Sequence, residues 1–360
     1  MALLHRTAVP LMSREGLERL YQEHVNRPDV LTARQYLRMT EKQRQTYDER
    51  RIRYIHHGLT IGTQSFNEAK KRLTSLYIHN AATLHDPLSL ALSGAPYLGK
   101  SHTLTELARF TANRLRRDTP DFIDKEMMPC VIITVPAPTT SKGILQELLT
   151  FIGIESTRAY TEQQLRTTAV RAMNEHGTRL LAFDEAHNMT RGGPAQREAT
   201  KNMIKKLMGD VEATLVFAGI DLNDNGLFEG ISGRQLSSRT QLIELHPYSA
   251  ATEGDREVWK TTGDYFEDAL GLIGNEPGTV RSLASYLFNR TGGVMGELAN
   301  TLRTAAVILI KSDAVARYGR EQITQHLLDE IPMGDAAEQR RLYGNDQYDW
   351  PTFPVESLAG

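Results

Sequence analysis

From residue 88 onward, short apolar runs and segments of helical period alternate along the chain. PLSLALSG (87–94) is an apolar run ending in glycine, and HTLTELARFTANRLRR after it has its apolar positions three and four apart. VIITVPA (131–137) is rich in β-branched residues, and two helical patterns follow, SKGILQELLTFIGI and TEQQLRTTAVRAMNEHG. RLLAFDEA (179–186) predicts the next strand. After it come a Gly-Gly-Pro loop, the helix AQREATKNMIKKLMGDV, the run TLVFAGI and, beyond a glycine-containing loop, QLIELHPY. Apolar runs with little alternation fit strands covered on both faces, and their alternation with helices predicts an α/β fold around a parallel sheet. Beyond Pro247 only helical period remains: EGDREVWKTTGDYFEDALGLI, TVRSLASYLFNRTGG, GELANTLRTAAVILIKSD and REQITQHLLDEI. The pattern divides into a polar helical extension over 1–60, a sheet domain over 61–250, a helical lid over 251–334 and an aperiodic tail over 335–360. The densest part of the extension, MTEKQRQTYDERRIRYIHH, mixes both signs of charge and reads as a solvated helix.

Composition narrows the function classes only a little. With 360 residues, 40% hydrophobic and 24% charged, the chain can bury a full core. It has no leader-like N-terminus and no apolar stretch near the ~18 residues of a membrane span, so a cytoplasmic protein without membrane contact is expected. Its single cysteine, Cys130, lies in an apolar run and reads as a small core residue; an internal disulfide or cysteine-rich metal site is excluded. At a net charge of −2, any contact with nucleic acid must come from a local basic patch.

GAPYLGKS (94–101) matches G-x-x-x-x-G-K-[ST], with a predicted strand before it and a predicted helix after it. Gly94 and Gly99 let such a loop turn its N–H groups inward, and the helix beginning near Lys100 favours negative charge. The span Gly94, Ala95, Pro96, Tyr97, Leu98, Gly99, Lys100, Ser101 and His102 is therefore the expected cradle for ATP. Lys100 would reach the terminal phosphates and Ser101 would offer its hydroxyl to Mg2+. Asp184 and Glu185, at the end of the apolar run LLAF, complete the chemistry. Asp184 would hold the metal directly or through its water shell, and Glu185 would polarise the attacking water.

Phosphoryl transfer also profits from a cation arriving from a neighbouring subunit. Arg239, immediately before the run QLIELHPY, is the first candidate and Arg234 the reserve. Asp221, at the end of TLVFAGI, is expected beside the phosphate-loop strand, as a γ-phosphate sensor or a structural cap. His187 has no second histidine at helical spacing, so it is expected to make local hydrogen bonds or to couple the nucleotide site to a partner. Asp-Glu-Ala-His is also the spelling of a helicase box. Helicases of that type need a second sheet domain, which the helical residues after 250 cannot build.

A sheet domain, an arginine just before the last strand and a helical lid together resemble the AAA+ ATPases. The stretches ITVPAPTTSKGIL, LLAFDEAHNM, LVFAGIDLNDNGLFEG, GRQLSSRTQLIELHPY and NRTGGVMGELANTLRTAA are similar to the TniB and TnsC type of transposition regulator, related in role to MuB. The resemblance covers about Thr40 to Ile331. It implies an ATPase that forms a homo-oligomer, as a helical filament or ring on duplex DNA, and recruits a DDE transposase alongside a target-selection protein. It matches Lys100, Ser101, Asp184 and Glu185 to the nucleotide positions and Arg239 to the trans-acting arginine. Two departures, Glu297 where relatives place a sensing arginine and Asp221 in place of a neutral polar sensor, point to slow or partner-stimulated hydrolysis. Thr139, Thr140 and Lys142 after the second strand, then Arg191, Lys201, Lys205 and Lys206, are the expected contacts to DNA phosphates. A nucleotide-switched signalling or defence ATPase acting on a protein partner and a helicase loader are the alternatives. Trp350 and Phe353 in the tail suit a docking peptide or packing on the chain's own domain.

Overall fold

The computed structural model describes residues 12–22, 25–83, 85–119, 121, 126–157, 159–224 and 226–334. The tail with Trp350 and Phe353 lies outside the described residues. The five apolar runs form β1 (Ser89–Ser93), β2 (Cys130–Thr134), β3 (Leu180–Asp184), β4 (Thr214–Gly219) and β5 (Thr240–Glu244). They make one parallel sheet in the order β2-β3-β4-β1-β5. β1, β3 and β4 are buried along their whole length, which is why these runs carry no alternation. Phe183 and Phe217 are paired in register on β3 and β4 and stack at 5.6 Å between centroids, both fully buried. Cys130 is a core residue as expected: its Sγ lies 3.5 Å from the Ala108 carbonyl, and burial pushes the thiol up to about 12.

Parallel pairing forces every β-to-β connection to cross the sheet, and the helices that do so cover its faces. Lys100–Asp118 packs on β2, β3 and β4, while Gln64–Ala82 packs on β1, β4 and β5. The register places Leu90 opposite both Val216 and Gln241, so β1 sits inside the sheet with β5 as its outer neighbour. All five strands therefore deliver their following loops to the same end of the sheet.

The chain forms two compact units, and the division does not follow the sequence-based boundaries. One holds the described residues of Met1–Glu23 and of Thr63–Leu245; the other holds those of His24–Gly62 and of His246–Gly360. The segment expected as a solvated extension is thus shared between them. In the second unit the helix Glu41–Arg53 turns Tyr47 and Arg51 inward. Arg51, 3% exposed, makes a two-point pair with buried Glu321 and reaches Asp48 at 3.1 Å. Glu321 also accepts the Ile273 N–H at 2.8 Å. The charges that suggested solvation are partly internal: Arg51 is matched by Glu321, 270 positions away, and by nearby Asp48. Trp259 packs edge-on against Tyr248 and Phe288 and donates its indole N–H to Ala284, in a core to which Ile55 and Leu59 also belong. Among the described residues, no single helix is long and apolar enough to cross a membrane.

The buried pair yields a stability test. Arg51→Met strands the Glu321 carboxylate in the core and is expected to cost about 3–5 kcal/mol by urea unfolding. Adding Glu321→Gln removes the unpaired charge while keeping an acceptor for Ile273, so the double variant should recover part of that loss.

Candidate nucleotide site

β1 runs out into Gly94, and the loop to Gly99 turns on two residues of positive φ, Tyr97 at 62° and Gly99 at 88°. Gly99 caps the helix Lys100–Asp118 without a side chain, so the first-turn N–H groups stay open toward the loop. Ala95, Pro96, Tyr97, Ser101 and His102 are exposed, whereas Leu98 is tucked in and holds the loop down. Gly94 has a packing reason as well as a conformational one: a Cβ there would lie 2.6 Å from the Leu245 carbonyl oxygen.

Lys100 is 7% exposed, and its Nζ donates to the carbonyls of Gly94 at 2.6 Å and Ala95 at 2.7 Å. Burial pulls its pKa down, and the negative charges of Glu185, Asp184 and Asp221 push it back up. The ammonium therefore lies among three carboxylates from the ends of β3 and β4, which the strand order places beside β1. Asp221, left-handed at φ 47° and exposed, stands where the sequence anticipated it.

Asp184 ends β3, is 5% exposed, and accepts the Glu185 N–H on Oδ1 at 3.0 Å. Glu185 takes the left-handed conformation, φ 54° and ψ 36°, which is uncommon outside glycine and typical of functional turns. The 3-10 turn Ala186–Thr190 follows and is tied to both neighbouring strands. Asn188 Nδ2 donates to Val135 at the end of β2, at 2.9 Å, and His187 Nδ1 accepts the Ile220 N–H beyond β4, at 3.3 Å. Nε2 of His187 faces the Glu185 carboxylate at 3.3 Å, and burial lowers the imidazole pKa.

The Ser101 hydroxyl and the Asp184 carboxylate are hard oxygen donors of the kind that would suit Mg2+. Among the described residues no group of three or more His, Cys, Asp or Glu side chains could hold a metal alone. A magnesium ion here would arrive with its nucleotide.

A family model described as Bacterial TniB protein matches residues 51–250. The chain belongs to the TniB family. Among solved structures it is similar to the Aeropyrum pernix ORC2 protein in its ADPNP-ADP complexes, at 11% identity and a TM-score of 0.56 over 80% of this chain and 74% of that one. It is also similar to the Aeropyrum pernix ORC1 protein in complex with DNA, at 15% identity and a TM-score of 0.52 over 80% of this chain and 69% of that one. At these identities the likeness speaks for the fold alone, which is the P-loop AAA+ fold. No curated protein matches the chain.

In this TniB-family fold Arg239 stands at the far end of the sheet from the phosphate loop. Its carbonyl accepts the Ser89 N–H at 2.8 Å at the start of β1, and its guanidinium pairs with Asp86. Five residues of strand at ~3.3 Å each separate it from Gly94, beyond the reach of its side chain to its own loop. Arg234 is exposed on the helix Gly230–Ser237. Glu297 lies in the first turn of the helix Met295–Lys311.

The expected DNA contacts fare unequally. Lys201 is 6% exposed and donates to the Glu229 carbonyl at 2.7 Å, so it ties its helix to the loop after β4 and is not offered to a phosphate backbone. Thr139 is likewise buried, its hydroxyl 3.4 Å from the Thr140 carbonyl. Lys205 donates to Gln235. Thr140 caps the helix Ser141–Ile152 by accepting the Gly143 N–H at 2.9 Å, with half-buried Lys142 in its first turn. Arg191 and Lys206 are exposed. Ser93, which the sequence reading passed over, accepts the Leu222 N–H on Oγ at 3.0 Å and fastens the loop after β4 to the end of β1. A serine at a strand end carries no signal of that contact.

The two glycine environments give opposite expectations in urea unfolding of the full chain. Gly94→Ala meets the Leu245 carbonyl and should destabilise by about 1–3 kcal/mol. Gly209→Ala, on an exposed helical position with nothing within 4 Å of its Cβ, should stabilise by roughly 0.5–1 kcal/mol.

Proposed function

We propose that this chain is an ATPase that assembles as a homo-oligomer, in filament or ring form, on duplex DNA and there recruits or activates a DDE transposase, with a target-selection protein as a further partner. The observation that carries the reading is the convergence of Lys100 with Asp184, Glu185 and Asp221 at one end of the sheet, in a chain of the TniB family.

In the proposed reaction the β- and γ-phosphates of ATP lie along the N–H groups of Tyr97–Ser101, and Lys100 turns from the Gly94 and Ala95 carbonyls to the phosphate oxygens. Ser101 and Asp184 are the residues that would hold Mg2+, which would supply charge neutralisation when bound with the nucleotide. Glu185 orients the attacking water opposite the leaving ADP oxygen and takes up its proton as the new P–O bond forms. Arg239 acts on the nucleotide of the next subunit, since its own is out of reach. Asp221 next to Lys100 is an acid where a neutral sensor would stabilise the γ-phosphate, which favours slow turnover that rises on assembly. Thr140, Lys142 and Arg191 are the residues proposed to follow the DNA phosphates, and contacts of this kind read backbone and not sequence.

Glu185→Gln should bind a non-hydrolysable ATP analogue as the natural chain does and lose about 100-fold or more in turnover. Arg239→Ala should bind equally and lose the turnover that assembly adds. Mixing the two variants restores sites that combine Glu185 of one copy with Arg239 of another, so turnover in the mixture above that of either alone marks action in trans; a mixture no better than its parts removes Arg239 from the role.

With an ATP analogue and random duplex DNA, electron microscopy of the purified chain should reveal filaments or rings on the DNA. Nucleotide binding without DNA association would sink the transposition reading. Lys142→Ala should weaken that association equally on unrelated sequences and reduce its salt dependence by about one phosphate contact.

A further inference from the structure

Three contacts converge on His187. Its Nδ1 accepts the Ile220 N–H at 3.3 Å, and a nitrogen that accepts carries no proton, so the neutral ring bears its hydrogen on Nε2. Nε2 lies 3.3 Å from Glu185 Oε2. Gly219 makes the approach possible: a Cβ there would stand 3.0 Å from the His187 backbone nitrogen and 2.7 Å from Leu222. These bonds are not what closes the turn. Asn188 holds it to Val135, the Asn188 N–H reaches the Glu185 carbonyl at 2.9 Å, and Thr190 Oγ1 donates to the His187 carbonyl at 2.8 Å.

We propose that His187 is a positioning residue that holds the Glu185 carboxylate in place and links it to the loop after β4. The inference rests on the reading of Glu185 as the residue that orients the attacking water. One carboxylate oxygen is held by the Nε2–H, which fixes the side chain and leaves Oε1 to face water. The other end of the ring is set by the backbone of Ile220, two residues before Leu222, whose N–H donates to Ser93 at the end of β1. A shift of that loop on nucleotide binding is transmitted to Glu185 through one hydrogen bond and one rigid ring. Within a single copy this gives the γ-phosphate end of the site control over its own water-orienting group.

The two ring nitrogens can be tested separately. Glutamine places an amide N–H near the position of Nε2 and preserves the donation to Glu185; asparagine places a carbonyl near Nδ1 and preserves only the Ile220 bond. His187→Ala should lower kcat roughly ten- to hundredfold, with KM and ATP-analogue binding within about twofold of the natural chain. His187→Gln should restore kcat to within about threefold, and His187→Asn should remain near the alanine level. The reverse order, equal losses in all three, or natural kcat in all three would overturn the inference while the natural chain still hydrolyses ATP and Glu185→Gln does not. A natural chain that hydrolyses no ATP, alone or with DNA, overturns the ATPase reading itself and this inference with it.

Discussion

The site depends on a hydrogen-bonded ladder that continues past the strand ends. Beyond the last paired residues, Gly94 donates to Gly219 at 3.2 Å, Leu245 to Ser93 at 2.7 Å, and Val135 to the Asp184 carbonyl at 2.9 Å. Buried strands cannot leave such groups unpaired without losing about 1–3 kcal/mol for each, so the chain departs from the sheet only where the next backbone partner is in place. That condition brings the phosphate loop, the acidic turn and the loop after β4 to one level. The strand order β2-β3-β4-β1-β5 then puts β4 between the strands that carry the acidic turn and the phosphate loop. A nucleotide site is possible here because the ladder fixes three loops from three strands in common register, before any side chain makes a choice.

The same logic explains what was legible in the sequence. The phosphate loop and Asp184–Glu185 are contiguous motifs next to apolar runs, and the structure preserves both the runs and their order. Asp221 follows β4, the neighbour of β1, because strand ends in a parallel sheet share an end. Contacts that bridge distant segments were not legible. Nothing in DEAHNM tells that His187 meets Ile220, 33 positions away, and nothing in LALSG tells that Ser93 fastens Leu222. Lys201 illustrates the opposite error: an amphipathic helix rich in lysine suggests a basic patch, but this ammonium threads along its own stem to a carbonyl.

The helix Glu41–Arg53 forms as the sequence predicts and is mostly exposed, but Tyr47 and Arg51 turn inward, which the sequence did not show for a related reason. Mixed charge predicts solvation only when the charges lack partners of matching geometry. Arg51 has one in Glu321, with Asp48 beside it and the Tyr47 ring 5.4 Å from its guanidinium carbon. A pair buried to this degree adds little net stability over an apolar pair, yet it penalises any arrangement that separates the partners. Its effect is to fix which segment joins the helical unit, and so the residues from 24 to 62 belong with the C-terminal helices although the sheet intervenes in sequence.

The two ends of the sheet carry different parts of the proposed chemistry. At the carboxyl end the proposal places nucleotide binding and water positioning on Lys100, Asp184 and Glu185, but there three acids, with Asp221, accompany one buried ammonium. Added phosphate charge must be met by more cation than the loop holds, since each negative oxygen brought into a site of reduced dielectric needs a matching donor or charge. On the proposed reading Mg2+ would supply part of it. Arg239, the first candidate for the rest, is held at the amino end by Asp86 and by the backbone bond to Ser89, out of reach of its own loop. On the proposed reading a single copy is electrostatically incomplete in the transition state, and assembly, by bringing a neighbour's Arg239 away from its Asp86 pair, would complete the site.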